Sequence, residues 1–116
     1  MTTYTPPPLT KPTSSRSLAL LKRLKKADAR FYGAYWCSHC FDQKEVFGKK
    51  FYDYVKYVEC DKEGEGFGGK CKTSSGGKIR GYPTWEIGGM KVEGQMELDE
   101  LEGVLDSIGA GTFTED

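Results

Sequence analysis

Two cysteines separated by two residues are the most reactive feature of this sequence. Cys37 and Cys40 enclose Ser38 and His39 and directly follow Trp36. An aromatic strand pattern changes to a helical one here, so we expect Cys37 in the first turn of a helix, where free N–H groups and the helix dipole stabilise a thiolate. Cys40 then lies one turn later on the same face, close enough for a disulfide. The spacing predicts thiol–disulfide exchange, in which Cys37 forms a mixed disulfide with a partner and Cys40 resolves it.

His39 lies between the two cysteines and is the single histidine of the chain. As an imidazolium it adds positive charge near the Cys37 sulfur, which favours the thiolate and makes the disulfide a stronger oxidant. We therefore interpret His39 as a residue that tunes the redox potential, the alternative being an exposed helix residue without a role. One histidine also excludes a multi-histidine metal site.

Two further cysteines, Cys60 and Cys71, are separated by ten residues. All four cysteines could in principle bind zinc, but a second pair with two-residue spacing is absent from the sequence. We expect no metal and no bound cofactor, with the Cys37–Cys40 disulfide as the redox group. A purely structural disulfide at this pair is another alternative, although it gives no reason for a place at a helix N-terminus.

Length and charge restrict the class of protein further. The chain has 116 residues, enough for one small domain. Its 17 Lys and Arg residues balance 17 Asp and Glu residues, which argues against a nucleic-acid partner and a polybasic membrane-surface protein. The apolar runs fall far short of the about 20 residues that span a bilayer, and no secretory signal is visible. We expect a monomer.

The ends of the chain differ in composition from its middle. Residues 1–13 are rich in Thr and Pro and are expected to form a flexible tail. Residues 14–109 form the predicted domain, and residues 110–116 are expected to fray. Ser14 and Ser15 are candidate N-caps for the first helix of that domain.

Hydrophobic periodicity predicts the elements that position the cysteines. Their order is helix, strand, helix, strand, glycine-rich loop, hairpin and helix, over the approximate ranges 14–27, 29–36, 38–54, 55–60, 61–81, 84–93 and 96–108. A loop of this length is expected to be functional, stapled, or partly ordered as a short helix near residues 73–79. The order predicts an α/β fold, with a mixed sheet of about four strands and helices on both faces.

These motifs resemble those of the thioredoxin superfamily. The segment YWCSHC at 35–40 is similar to its WCxxC active site, and GYPTW at 81–85 is similar to the segment that carries its cis-proline. More closely, FYGAYWCSHCFDQKEVF at 31–47, with YVEC at 57–60 and GYPTW, resembles the thioredoxin-like domain fused to vitamin K epoxide reductase homologues of plants and cyanobacteria. The resemblance extends over about residues 15–109.

The resemblance implies a thioredoxin fold and a disulfide oxidoreductase. By position, Cys37 is the exposed nucleophile and Cys40 the buried resolving cysteine. Pro83 is the implied cis-proline, and Trp36 and Tyr82 are the implied contacts for a bound substrate strand. In that family the domain takes electrons from reduced substrate proteins and passes them to a membrane-embedded reductase domain, which delivers them to a quinone. The sequence lacks that membrane domain, so we expect either an excised or a freestanding domain.

The resemblance also implies a disulfide between Cys60 and Cys71. Closing the flexible loop between them removes roughly 3 kcal/mol of unfolded-state entropy. A persistent disulfide indicates an oxidising compartment, such as the thylakoid lumen or a periplasm-like space. The alternatives are a second redox-active pair that passes electrons to the Cys37–Cys40 pair, and two free thiols.

The sequence departs from common thioredoxins in ways that bear on function. Ser38-His39 replaces the Gly-Pro of reducing thioredoxins, which disfavours a general reductase. Phe31 stands where many thioredoxins carry a buried acid that assists proton transfer from the resolving thiol. Asp42 and Glu45 are interpreted as solvated helix residues rather than substitutes for that acid. A non-catalytic module that binds partners at the groove beside the cis-proline, and a reducing thioredoxin, are the alternative functions.

Overall fold

The fold is an α/β sandwich built on one small sheet, seen in a computed structural model that describes residues 3–69 and 71–109. The elements in chain order are α1 (Ser15–Lys26), β1 (Arg30–Gly33), α2 (Ser38–Phe47), α3 (Phe51–Tyr54), β2 (Lys56–Glu59), β3 (Thr84–Ile87), β4 (Met90–Glu93) and α4 (Leu98–Ser107). The frayed end predicted at 110–116 lies outside the described residues. Within them, no helix is long and apolar enough to cross a membrane.

The sheet has four strands in the order β2-β1-β3-β4. β1 pairs in parallel with β2 and antiparallel with β3, and β3 and β4 form the antiparallel hairpin predicted over 84–93, with Gly88-Gly89 as its turn. The predicted α/β fold with a mixed sheet of four strands is therefore confirmed. β1 is hydrogen-bonded to β2 on one side and to β3 on the other. The cysteine pair follows directly after this central strand, so its position is fixed by both neighbours.

An aromatic cluster fills the core beneath the centre of the sheet. The Phe31 ring lies edge-on to Trp85, with ring centroids 4.8 Å apart, and edge-on to Phe51 at 5.3 Å. All three side chains are fully buried. Such edge-to-face pairs add to the free energy gained from burying the rings. The side chain of Phe31 therefore serves packing, at the position where the resembling thioredoxins carry an acid.

The single long helix predicted over 38–54 is wrong, because Gly48 separates α2 from α3. Gly48 has φ +87°, a left-handed conformation that side chains other than glycine rarely adopt. The N-terminal segment crosses the chain here, and Lys49 N donates to Lys11 O at 2.8 Å. A Cβ atom on Gly48 would lie 2.7 Å from Pro12 O. Close backbone approach is thus the physical reason for the break.

Glu45 on α2 holds the same N-terminal segment. Its carboxylate accepts hydrogen bonds from Thr10 N at 3.0 Å, Thr10 Oγ1 at 2.8 Å and Lys11 N at 3.2 Å. Partial desolvation opposes the charge, but these hydrogen bonds hold the pKa of Glu45 below its usual value. The interpretation of Glu45 as a solvated residue is wrong, since it is 8% exposed. Asp42 is exposed, as predicted.

Further towards the N-terminus, Tyr4 lies against the turn that precedes the cysteines. Tyr4 N donates to Glu63 O at 2.9 Å, and Glu65 N donates to Tyr4 O at 2.7 Å. The Tyr4 ring stacks on the ring of Tyr35, with centroids 5.2 Å apart. The division of the chain into a flexible tail and a domain stays a prediction, but residues 4–11 contact the domain at both ends of α2.

The glycine-rich loop contains no helix within its described residues, so the short helix considered near residues 73–79 is not present. A tight turn replaces it, in which Gly76 N donates to Thr73 O and Thr73 N donates to Gly77 O, both at 2.9 Å. The buried Glu86 of β3 ties this turn to the sheet, since it accepts a hydrogen bond from Ser74 N at 3.0 Å. The loop is thus ordered by hydrogen bonds to the sheet.

We expect Gly48→Ala to lower the free energy of unfolding by about 1–3 kcal/mol, because a Cβ atom meets the Pro12 carbonyl and the backbone is left-handed. Gly103→Ala is the matched control, since Gly103 lies in α4 with open space around its Cα, and it should raise stability by about 0.5–1 kcal/mol. Denaturant unfolding measures both variants. Equal stability of Gly48→Ala and the parent would contradict the close approach.

Candidate active site

The cysteine pair lies where β1 runs into α2. Cys37 is the N-cap residue of α2, with an extended backbone, and its Sγ accepts a hydrogen bond from Cys40 N at 3.1 Å. Cys37 is largely buried, with 7% of its surface exposed, where the resemblance implied an exposed nucleophile. Cys40 is fully buried as implied, and both are free thiols in this structure. A sulfur in this position faces the unpaired N–H groups of the first helical turn, which stabilise its negative charge.

The two sulfurs have very different surroundings. Burial, with a smaller contribution from the hydrogen bond to Cys37, raises the pKa of the Cys40 thiol to about 12. A thiol in apolar surroundings is a poor nucleophile, because only the thiolate attacks. Cys37 is therefore the sulfur that can meet a partner, whereas the buried Cys40 is placed to react with Cys37 Sγ.

An open groove of about 430 Å³ borders Cys37. Its lining residues are Trp36, Cys37, Ser38, His39, Arg80, Gly81 and Tyr82. The Trp36 side chain is 59% exposed and lies edge-on to Tyr82, with ring centroids 5.9 Å apart. Its indole N–H donates to Asp61 Oδ2 at 2.7 Å, which fixes the ring beside the sulfur. The groove thus brings together the candidate nucleophile and the candidate substrate contacts.

The GYPTW segment lies across this groove from the cysteines. The Tyr82–Pro83 peptide bond is cis, the configuration that the resemblance implied. Pro83 is buried, and its carbonyl accepts a hydrogen bond from Gly94 N at 2.8 Å. The hairpin of β3 and β4 therefore holds the segment in place next to Cys37.

His39 is exposed in the first turn of α2, on the rim of the groove. Its Nδ1 lies 3.4 Å from Gln95 Oε1. Gln95 precedes α4, and the adjacent Met96 is tied to α2 through Gln43, whose Oε1 accepts from Met96 N at 2.7 Å. The position is compatible with an electrostatic influence on Cys37, and the tuning role of His39 stays a prediction.

Cys60 and Cys71 form a disulfide in the structure. Cys60 directly follows β2, and its N–H donates to Gly33 O at 2.8 Å, so it continues the pairing of β1 and β2. Neither residue lines the groove at Cys37. Among residues 3–69 and 71–109, no group of three or more metal-binding side chains is clustered. The bond closes the glycine-rich loop at its base.

Two buried charged residues near the cysteines escaped the sequence analysis. Glu59 is 3% exposed and accepts hydrogen bonds from Tyr35 N at 3.2 Å and from Asp61 N at 3.1 Å. Lys44 is 1% exposed, on α2. The pattern contained a signal for each, because strand alternation places Glu59 on the apolar face of β2 and Lys44 follows Cys40 by one helical turn.

The fold and the site together define the class of protein. A mixed four-stranded sheet, a WCxxC pair at the N-terminus of a helix and a cis-proline segment that borders the same groove define a thioredoxin-like fold and site. The chain is 42% identical over 90 residues to the thiol-disulfide oxidoreductase LTO1 of Arabidopsis thaliana. The match covers 77% of this chain and only 24% of LTO1, so the chain spans a small part of that relative. No protein-family model matches the chain.

In the reduced folded protein, iodoacetamide near neutral pH should modify Cys37 and leave Cys40 unmodified. Cys40 is fully buried and its pKa is raised to about 12, so it carries almost no thiolate at that pH. Peptide mass spectrometry measures the modified site. The Cys37→Ser variant is the control and should take up no label until denaturant is added. Equal labelling of both cysteines in the folded protein would contradict this difference.

Proposed function

We propose that this chain is a thiol–disulfide oxidoreductase that oxidises protein dithiols through Cys37 and Cys40. The observation that carries the proposal is the position of Cys37 Sγ, at the N-cap of α2 and beside an open groove, with a hydrogen bond from Cys40 N. The name of the relative LTO1, thiol-disulfide oxidoreductase, supports the same activity.

The reaction begins with the oxidised pair. A substrate thiolate attacks Cys37 Sγ, the bond between the two cysteines breaks, and Cys40 leaves as a thiolate that takes up a proton. A second substrate thiolate then attacks the substrate sulfur of the mixed disulfide, and Cys37 leaves as a thiolate. The helix N-terminus and Cys40 N–H stabilise that leaving group. The substrate ends with a disulfide, and its two electrons reside on the cysteine pair.

The substrates are proteins with pairs of thiols. Trp36 and Tyr82, in contact with each other, present aromatic surface in the groove that borders the sulfur, and aromatic side chains are favoured where a partner must be held. In this proposal an extended substrate segment lies along the groove, beside the backbone of Tyr82 and Pro83. His39, on the rim, stabilises the thiolate of Cys37 and so makes the disulfide more oxidising.

The reduced pair must be reoxidised for a second turnover. We propose a membrane-embedded, quinone-linked reductase of the vitamin K epoxide reductase type as the electron acceptor, supported by the resemblance of the 31–47 and 81–85 segments. The proposed site is an oxidising compartment such as the thylakoid lumen, because the Cys60–Cys71 disulfide persists best there. The cysteine pair is the only redox group that this reaction uses.

Oxidative refolding of a reduced, disulfide-containing substrate protein tests the activity. The oxidised chain should accelerate refolding, and Cys37→Ser and Cys40→Ser should each abolish the effect, because neither variant can form the Cys37–Cys40 disulfide that takes up the substrate's two electrons. Regain of substrate activity and non-reducing electrophoresis measure these outcomes.

The double variant Cys60→Ser/Cys71→Ser is the control in this assay. It should keep the activity while losing stability, as expected for a disulfide that only closes a loop. Full activity in Cys37→Ser would overturn the proposal. Loss of activity in the folded double variant would instead assign the second pair to the electron path.

The reduction potential of the Cys37–Cys40 pair separates the alternatives. We expect a value above the about −270 mV of thioredoxin, and a decrease of roughly 30 mV in His39→Ser, equivalent to a tenfold change in the equilibrium constant. Equilibration with glutathione buffers measures it, with Ser38→Ala as the matched control. A value near that of thioredoxin would favour a reducing thioredoxin, and a pair that never exchanges would favour a non-catalytic binding module.

A further inference from the structure

Lys44 is a fully buried lysine in the helix that carries the cysteines. It follows Cys40 by one turn of α2, so both side chains leave the same face of the helix and both point into the core. A buried ammonium group is costly unless it is compensated. Within the described part of the chain Lys44 forms no ion pair. The compensation must therefore come from other groups.

Two tyrosines enclose the amine. Lys44 Nζ donates a hydrogen bond to Tyr52 Oη at 2.7 Å and lies 4.4 Å from the centroid of the Tyr57 ring. Tyr57 Oη in turn donates to Glu59 Oε1 at 2.7 Å, which holds that ring in place. Electron-rich ring faces attract a cation, most strongly where water is excluded. The side chains of Tyr52 and Tyr57 thus form an enclosure around the amine.

This enclosure borders the sulfur of Cys40. A Cβ atom on Gly33 would lie 3.0 Å from Cys40 Sγ and 3.3 Å from Cε1 of the Tyr57 ring, so the sulfur and the ring lie close together beside the Gly33 backbone. The same ring carries the Lys44 amine on its face. The Lys44 amine and the Cys40 sulfur are therefore both neighbours of the Tyr57 ring, whose hydroxyl donates to the buried carboxylate of Glu59.

The titratable and charged groups that face Lys44 are Cys40 and Cys37 on α2, Glu59 and Tyr57 on β2, and Tyr52 on α3. Burial lowers the pKa of Lys44 to about 8, and the charges of Cys40, Glu59 and Cys37 act against this shift. In the other direction, Lys44 opposes the desolvation that raises the pKa of Cys40. The two groups thus interact electrostatically.

Building on the proposed function, we propose that Lys44 is a positioning residue for the resolving step, whose buried ammonium group stabilises the negative charge on Cys40 Sγ. In that step Cys40 loses its proton to solvent and attacks Cys37 Sγ in the mixed disulfide. The Cys37–Cys40 bond forms, the bond from Cys37 to the partner sulfur breaks, and the partner leaves as a thiolate. In the reverse direction the same cation stabilises Cys40 as the leaving group.

The reaction of the reduced protein with dithiobis(nitrobenzoate) separates the two sulfurs. Attack by Cys37 releases the first coloured thiolate and leaves a mixed disulfide on Cys37. Attack by Cys40 on that mixed disulfide releases the second coloured thiolate, and Cys40→Ser should lack this phase. Limited reduction, checked by mass spectrometry, keeps the Cys60–Cys71 disulfide intact before the reagent is added. Stopped-flow absorbance then gives both rates from one sample.

We expect Lys44→Met to slow the second phase about tenfold at pH 7, because a nearby opposite charge shifts a thiol pKa by a unit or more. The first phase should change less than about twofold, since Cys37 has the weakest of the three charge interactions with Lys44 and its thiolate is stabilised by the N-terminus of α2. Lys49→Met, which removes an exposed lysine just beyond α2, is the matched control and should leave both phases unchanged. Lys44→Arg retains the charge and should restore part of the second-phase rate.

The pH profile gives a readout that a merely structural lysine would not affect. In the parent protein the second-phase rate should rise with pH and level off near pH 8, where Lys44 itself loses its proton. Above that pH, further deprotonation removes the cation that stabilises the thiolate. In Lys44→Met the rate should continue to rise through this range, because only Cys40 titrates.

Each result bears on one of the two proposals. An unchanged second phase and an unchanged profile in Lys44→Met would overturn the role of Lys44 and leave the proposed function intact. If Lys44→Met does not fold, the parent profile decides, and the absence of levelling near pH 8 overturns the role. The absence of the first phase in the parent protein would contradict the nucleophile itself, and both proposals would then fall.

Discussion

The buried carboxylate of Glu59 is the interaction on which the geometry of the site depends. It accepts backbone hydrogen bonds from Tyr35, in the turn before the cysteines, and from Asp61, at the start of the glycine-rich loop. Asp61 in turn fixes the indole of Trp36, and hydrogen bonds from that indole and from Glu63 N lower the pKa of Asp61. One acid at the end of β2 thus positions the turn, the loop and the exposed ring beside the nucleophile.

The electrostatics of the site depend on the burial of the Cys40 sulfur and of the Lys44 amine close to each other. Cys40 is shielded from solvent, with a pKa raised to about 12, while Lys44 on the same helix is held near the tyrosines and Glu59. Water cannot screen these groups, so each strongly influences the protonation of the others. Cys37, at the N-cap, instead has backbone N–H groups as its source of positive potential. The two sulfurs of one disulfide are therefore stabilised by different means.

The N-terminal segment adds a second set of constraints on the active-site helix. Glu45 binds the backbone of Thr10 and Lys11 near the C-terminal end of α2, and Gly48 admits the crossing chain. At the other end, the Tyr4 ring covers Tyr35 in the turn before Cys37. Helix α2 is thus fixed by contacts from outside the four-stranded sheet as well as by its own packing on it.

The sequence by itself determined the features that depend on local pattern. The WCSHC spacing, the Gly88-Gly89 turn and the apolar periodicity of the strands were sufficient for the α/β fold and for the position of Cys37 at a helix N-terminus. The helix break at Gly48, the burial of Glu45 and the meeting of Lys44, Tyr57 and Glu59 were decided only by the tertiary structure. These contacts join segments that are distant along the chain. Local propensities do not specify which distant residue compensates a buried charge. Strand alternation and helical spacing allow Glu59 and Lys44 to point inward, but only packing brings both groups to the side chain of Tyr57.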